Sequence, residues 1–205
     1  MKLLAIIVLL SGFAIAQKTE SREAFRIGVR AGANLSNVYD SEGKDFVAEN
    51  KYGFAAGGFL SILLNKFVGF QPEIMYSEKG FKATGKTILG AYDFTRTSTY
   101  LDIPLQLQVK PIEEVTFLIG PQFSYLLYTK NNFNGNVSST DQKDINFDNY
   151  KKSIFGFVVG VDFNFEPLVV GIRGAWDINR SNANGDTSTP RYKNQVLQLT
   201  VGFVF

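Results

Sequence analysis

Along most of the chain, apolar residues alternate with polar or small ones, and helical periodicity is nearly missing. Alternation sustained over about ten positions marks a strand whose two faces meet different surroundings. The last ten residues show it most clearly: Leu197, Leu199, Val201, Phe203 and Phe205 share one face, and Val196, Gln198, Thr200, Gly202 and Val204 the other. In the same way Phe25, Ile27, Val29, Ala31 and Ala33 alternate with Arg26, Gly28, Arg30, Gly32 and Asn34. "TYLDIPLQLQV", "VTFLIGPQFSYLL" and "LVVGIRGAWDI" repeat the pattern. It predicts eight strands, at about 24–35, 53–64, 67–79, 97–110, 115–128, 151–163, 168–179 and 193–205. Short connections fall at Asn65-Lys66, Pro111 to Glu114 and Asn164 to Pro167. Long polar ones fall at about 36–52, 80–96, 129–150 and 180–192.

Tight turns at one end, long loops at the other and an even strand count predict an all-β fold, an eight-stranded antiparallel up-and-down transmembrane β-barrel preceded by a cleaved signal peptide. Alternation alone does not separate this from a soluble barrel, in which the apolar face would point inward. Three features favour the membrane. An eight-stranded interior has no room for the many Phe, Tyr and Trp of the apolar set, whereas the glycine-rich opposite face suits a narrow lumen. Phe117, Phe163, Phe203 and Phe205 are expected near the short-turn end, and Tyr76, Tyr125 and Trp176 near the long-loop end, as two aromatic belts at the lipid interfaces. A sheet in lipid must also pair its first and last strands, and an unbroken final strand ending on Phe205 fits that need.

This parity points Arg26, Arg30 and Arg173 into the lumen together with Glu73, Asp102, Asp162 and Asp177. Unpaired charges there are costly. Arg30 and Arg173 are therefore expected to pair with Glu73 and Asp102 at mid-height, forming a plug rather than a lined pore. Pro72, Pro104 and Pro121 lie inside predicted strands and cannot donate to a ladder, so bulges or ladder breaks are expected there. A bulge would flip the facing beyond it.

The segment "MKLLAIIVLLSGFAIAQ" has a positive start, an apolar run and Ala14-Ile15-Ala16, the pattern of a signal peptide over residues 1–16, with the barrel domain as residues 17–205. Without Lys2, 20 basic residues face 19 acidic ones, so nothing argues for a nucleic-acid partner. Cys and His are absent, which removes Cys–His and Ser–His–Asp catalysis and His-ligated zinc. "TDQKDINFD" (140–148) and "NANGD" (182–186) have oxygen ligands at near-alternate positions but miss the EF-hand spacing, and read as solvated loop. No catalytic, cofactor or metal residues are assigned.

"GVRAGANLSN", "FQPEIMYSEKGFK", "TYLDIPLQLQVKP" and "FLIGPQFSYLL", followed by "FGFVVGVDF", resemble the PorT-type outer-membrane β-barrel proteins of Bacteroidetes. The resemblance implies an outer-membrane barrel without agreed catalytic residues. The end of the chain at Phe205 is similar to the signal read by the barrel-insertion machinery, which with outer-membrane lipid and envelope proteins makes up the expected partners. The function expected is non-enzymatic: envelope structure, surface interaction or secretion support. A small-solute pore and a soluble periplasmic lipocalin-like binder are the alternatives.

Overall fold

The computed structural model describes residues 25–42, 47–87, 90–135, 139–144, 151–181 and 191–205. In chain order the strands are β1 (Phe25–Glu42), β2 (Val47–Glu49), β3 (Lys51–Leu63), β4 (Val68–Thr87), β5 (Gly90–Ile112), β6 (Val115–Gly135), β7 (Ser139–Asp144), β8 (Ser153–Phe165), β9 (Leu168–Asp177) and β10 (Arg191–Val204). Eight of them form an antiparallel meander; β2 and β7 are short additions that pair with β4 and β6 at the long-loop end. β1 pairs with β3 on one side and with β10 on the other, from Gly28 opposite Val204 to Tyr39 opposite Lys193. That last pairing closes the sheet into an eight-stranded barrel and leaves no edge in its wall.

The alternation sets the facing. Val29, Phe117, Ile119, Phe155, Leu199 and Val201 point outward and are exposed, while Arg30, Asn34, Gln71, Glu73, Gln106 and Thr200 point inward and are buried. The inner face is not wholly polar. Phe59, Val169 and Val204 pack together inside, and Leu118, Ile154 and Val158 are buried as well. Glycine makes this possible in so narrow a tube: a Cβ on Gly28 would lie 2.3 Å from Cζ of Phe59.

Two expectations need correction. Residues 80–87 and 90–96, expected as a loop, continue β4 and β5 as paired strands, from Gly80 opposite Thr97 to Thr87 opposite Gly90. β1 likewise runs on to Glu42 and β6 to Gly135, and β7 lies within the expected 129–150 loop. The β4–β5 stretch is rich in Thr, Tyr and Phe, which favour extended backbone. A strand projecting into water also needs no apolar outer face, so the lipid-type alternation is a poor guide to where it ends. Residues 145–150 and 182–190, which include the whole "NANGD" stretch and the end of "TDQKDINFD", lie outside the described residues.

The prolines interrupt the ladder without changing its register. Pairing stops after Pro72 opposite Leu105 and resumes in step at Met75 opposite Asp102; it stops after Pro104 opposite Gln122 and resumes at Leu107 opposite Ile119. The facing is therefore kept. Between β5 and β6 the register shifts instead at two other places: between Thr99 and Tyr100, where Leu127 of β6 is the unpaired residue, and between Val109 and Ile112 beside the short turn.

Candidate functional site

The candidate site is the column of charged side chains that the strands direct into the lumen. Arg30 on β1, Glu73 on β4, Asp162 on β8 and Arg173 on β9 arrive from four walls and meet in the middle. Arg30 Nη2 lies 3.0 Å from Asp162 Oδ2 and 3.7 Å from Glu73 Oε1. Arg173 Nη2 lies 3.0 Å from Glu73 Oε1 and 3.1 Å from Asp162 Oδ1. Gln71 Nε2 donates to Glu73 Oε1 at 2.8 Å, and the Arg30 guanidinium sits 4.1 Å from the centre of the Phe59 ring. All four charged side chains are at most 3 % exposed. Two cations and two anions cancel, which is what allows ions to persist where water is nearly excluded.

Gly171 of β9 creates the room. A Cβ there would stand 2.6 Å from both Arg173 Nη1 and Asp162 Oδ1, and 2.8 Å from Thr200 Oγ1.

Asp102 does not join this cluster, contrary to the expected pairing with the arginines. It meets Lys79, whose Nζ lies 2.9 Å from Asp102 Oδ1, 3.1 Å from Ser124 Oγ and 4.9 Å from the centre of the Tyr100 ring. Lys79 was the missed residue, because it falls on the boundary drawn between strand and loop. Its signal was parity: Glu73, Met75, Ser77 and Lys79 share one face of β4. Asp177 is buried but binds no arginine; its Oδ2 accepts from the Asn194 backbone at 3.2 Å and from Asn194 Nδ2 at 2.6 Å. Arg26 stands at the short-turn mouth, not in the cluster, with Nη2 2.5 Å from Glu166 Oε1. The physical reason is height: Arg26 lies four residues nearer the turns than Arg30, further than its side chain reaches.

Two small cavities flank the cluster. One of about 30 Å³ opens among Arg26, Ser61, Gln108 and Asp162 on the short-turn side. One of about 20 Å³ lies among Glu73, Lys79, Asp102 and Arg173 on the other. Each has room for a water or two and for little else. Farther out, Val38, Phe81, Ala83 and Tyr192 form a buried apolar group, with Phe81 and Tyr192 edge-on at 5.4 Å, and Ala48 and Phe94 packed against it. Among the described residues, no cluster of three or more carboxylates is placed to hold a metal ion.

The aromatic residues named from the sequence all point outward. Phe117, Tyr125, Trp176, Phe203 and Phe205 are exposed, and Tyr76 and Phe163 are half-buried by neighbours. Phe203 and Phe205 meet edge-on at 5.4 Å at the short-turn end. Tyr76 Oη is 2.7 Å from Tyr128 Oη toward the long-loop end.

Solved structures share this architecture. Neisserial surface protein A superposes with a TM-score of 0.50 at 15 % identity, covering 87 % of this chain and 97 % of its own. Ail of Yersinia pestis, crystallised with the heparin analogue sucrose octasulfate, gives 0.48 at 14 % identity, over 88 % and 99 % of the two chains. Outer membrane protein W of E. coli gives 0.43 at 19 %, over 90 % and 100 %. At such identities the likeness is one of fold. No curated protein sequence matches the chain. The family model for the outer membrane protein beta-barrel domain matches residues 15–183. With a closed eight-stranded wall, an apolar outer band and a charged, filled interior, the chain belongs to the outer membrane protein beta-barrel domain family and is a protein of the outer membrane.

Proposed function

We propose that the protein is a non-enzymatic barrel whose lumen is plugged, so that it acts through its wall and its outer extension rather than by conducting solutes. Its task on this reading is envelope structure, surface interaction or support of a secretion apparatus, in keeping with the PorT-type resemblance. Residues 1–16 serve as the export signal, residues 17–205 as the barrel domain, and the strand ending at Phe205 as the segment engaged by the barrel-insertion machinery. The observation that carries the reading is the four-residue ion cluster across the lumen, flanked by cavities of only about 30 and 20 Å³. A small barrel leaves little free bore even before such a cluster forms. Lumen charges that neutralise one another support a structural role over a catalytic one.

Purified protein in planar bilayers tests the plug. The expected record is a closed bilayer; steady channels in the nanosiemens range in the wild-type chain would show a pore.

A further inference from the structure

The inward face changes character twice along the barrel. At the short-turn mouth a bowl of about 760 Å³ opens among Arg26, Leu63, Phe67, Lys110 and Glu166. Past the shared Arg26, Leu63 and Lys110 it runs on into the pocket of about 30 Å³ that reaches Ser61, Gln108 and Asp162. Asp162 belongs to the ion cluster, so the bowl is a vestibule that ends on the underside of that cluster.

Above the cluster lies a second polar tier. On β4 the inward residues after Glu73 are Met75, Ser77 and Lys79, and Lys79 binds Asp102 and Ser124. The cavity there, about 20 Å³, has room for about one water. The next inward residue on β4 is Phe81, and with it the interior turns apolar. Phe81 meets Tyr192 of β10 edge-on at 5.4 Å and Phe94 of β5 at 6.1 Å. Tyr100 of β5, its ring 4.9 Å from Lys79 Nζ, packs with Leu126 of β6 and Ile154 of β8. Phe81, Tyr100 and Tyr192 are each 2 % exposed. The two apolar groups together take buried side chains from β1, β4, β5, β6, β8 and β10, which is enough of the wall to make a septum across the tube.

The two barriers differ in kind. The lower one is held by charge, and its ions persist only because they are paired. The upper one is held by packing, and offers a hydrated ion neither a countercharge nor a water. They lie about 27 Å apart along β4, from Glu73 to Phe81, and no residue of the ion cluster belongs to either apolar group. We propose that the lumen is closed by two seals in series, the ion cluster and the apolar septum around Phe81, Tyr100 and Tyr192, each sufficient alone. The inference rests on the plugged-barrel reading and adds its regulation. Release of the ion cluster lengthens the vestibule without opening a channel, and the barrel conducts only when both seals yield.

The chain has no cysteine, so engineered thiols report on each compartment. Ser61→Cys places one in the vestibule, and Ser77→Cys one between the seals, where Ser77 is 1 % exposed. With the chain in nanodiscs and a membrane-impermeant cationic methanethiosulfonate as probe, Ser61→Cys is expected to react readily and Ser77→Cys on the order of 100-fold more slowly. Arg173→Ala with Glu73→Ala opens the lower seal, and Phe81→Ala with Tyr192→Ala the upper. Either pair is expected to speed the Ser77→Cys reaction at least about tenfold, because either route then reaches it. In planar bilayers each pair alone is expected to stay closed, and the four substitutions together to conduct. Equal rates for the two cysteines in the otherwise unchanged chain would overturn the proposal, as would channels from either pair alone or a folded fourfold variant that stays closed. Should the fourfold variant lose the heat-modifiable gel mobility of a folded barrel, the cysteine rates decide: a rate left unchanged by one pair means that this pair is no seal, and the proposal fails. Channels in the wild type would instead remove the plugged-barrel reading itself.

Discussion

The two ends of β4 obey opposite rules. From Val68 to Tyr76 the outward residues are apolar, with Phe70 and Ile74 exposed, and the inward ones, Gln71 and Glu73, are polar and buried. From Gly80 onward the inward residues Phe81 and Ala83 are apolar and buried, and the outward Lys82 is exposed. No bulge separates the two regions on this strand, and its pairing with β5 keeps one register from Val68 to Thr87. Only the solvent has changed. Inside the membrane, hydrocarbon takes the apolar face and the ions retreat to the lumen. Beyond it, water takes the polar face and the apolar residues Val38, Phe81, Ala83 and Tyr192 gather inside, as in a soluble barrel. A single tube thus holds an inside-out lower half and a conventionally packed outer extension.

Substitutions on each side break or sharpen this contrast, and urea unfolding in lipid vesicles, followed through the sole tryptophan, Trp176, measures them. The largest effect is expected from Arg173→Met, which leaves Glu73 and Asp162 sharing one arginine and should cost about 4 kcal/mol. Adding Glu73→Met should recover most of that loss, because a balanced apolar replacement leaves no unpaired ion. Phe81→Ala, in the outer apolar group, should cost about 3 kcal/mol by opening a cavity. Its loss should appear as earlier proteolysis of the β4–β5 hairpin, with the membrane band still protected. Ile74→Arg places a cation in the outward apolar band and should cost about 2 kcal/mol. Lys82→Leu, on the same face of the same strand but in water, should change stability by less than about 0.5 kcal/mol. Should Ile74→Arg and Lys82→Leu come out equal, the boundary between the two regimes would be misplaced.

One backbone position joins the two halves. Gly80 has φ of +149°, and a Cβ there would lie 2.0 Å from the Arg96 carbonyl oxygen. Ser36 Oγ accepts from its N–H at 3.0 Å and donates to its carbonyl at 2.9 Å. Few residues other than glycine fit both the backbone angle and the space.

The sequence alone determined the eight strands of the wall, their antiparallel order, the membrane-facing set and the inward direction of Arg30, Glu73, Asp102, Asp162, Arg173 and Asp177. Alternation is a local property, and a strand in a two-solvent environment records its surroundings at every second residue. What the tertiary structure decided is non-local. Arg30 meets Asp162 across 132 positions of chain and Arg173 meets Glu73 across 100, while Asp102 goes to Lys79 because height along the barrel, not charge, selects partners. The apolar cap was likewise invisible, since Phe81 and Tyr192 become neighbours only once the barrel closes, and a polar segment carries no mark of whether it projects as strand or as loop until its partner strand lies beside it.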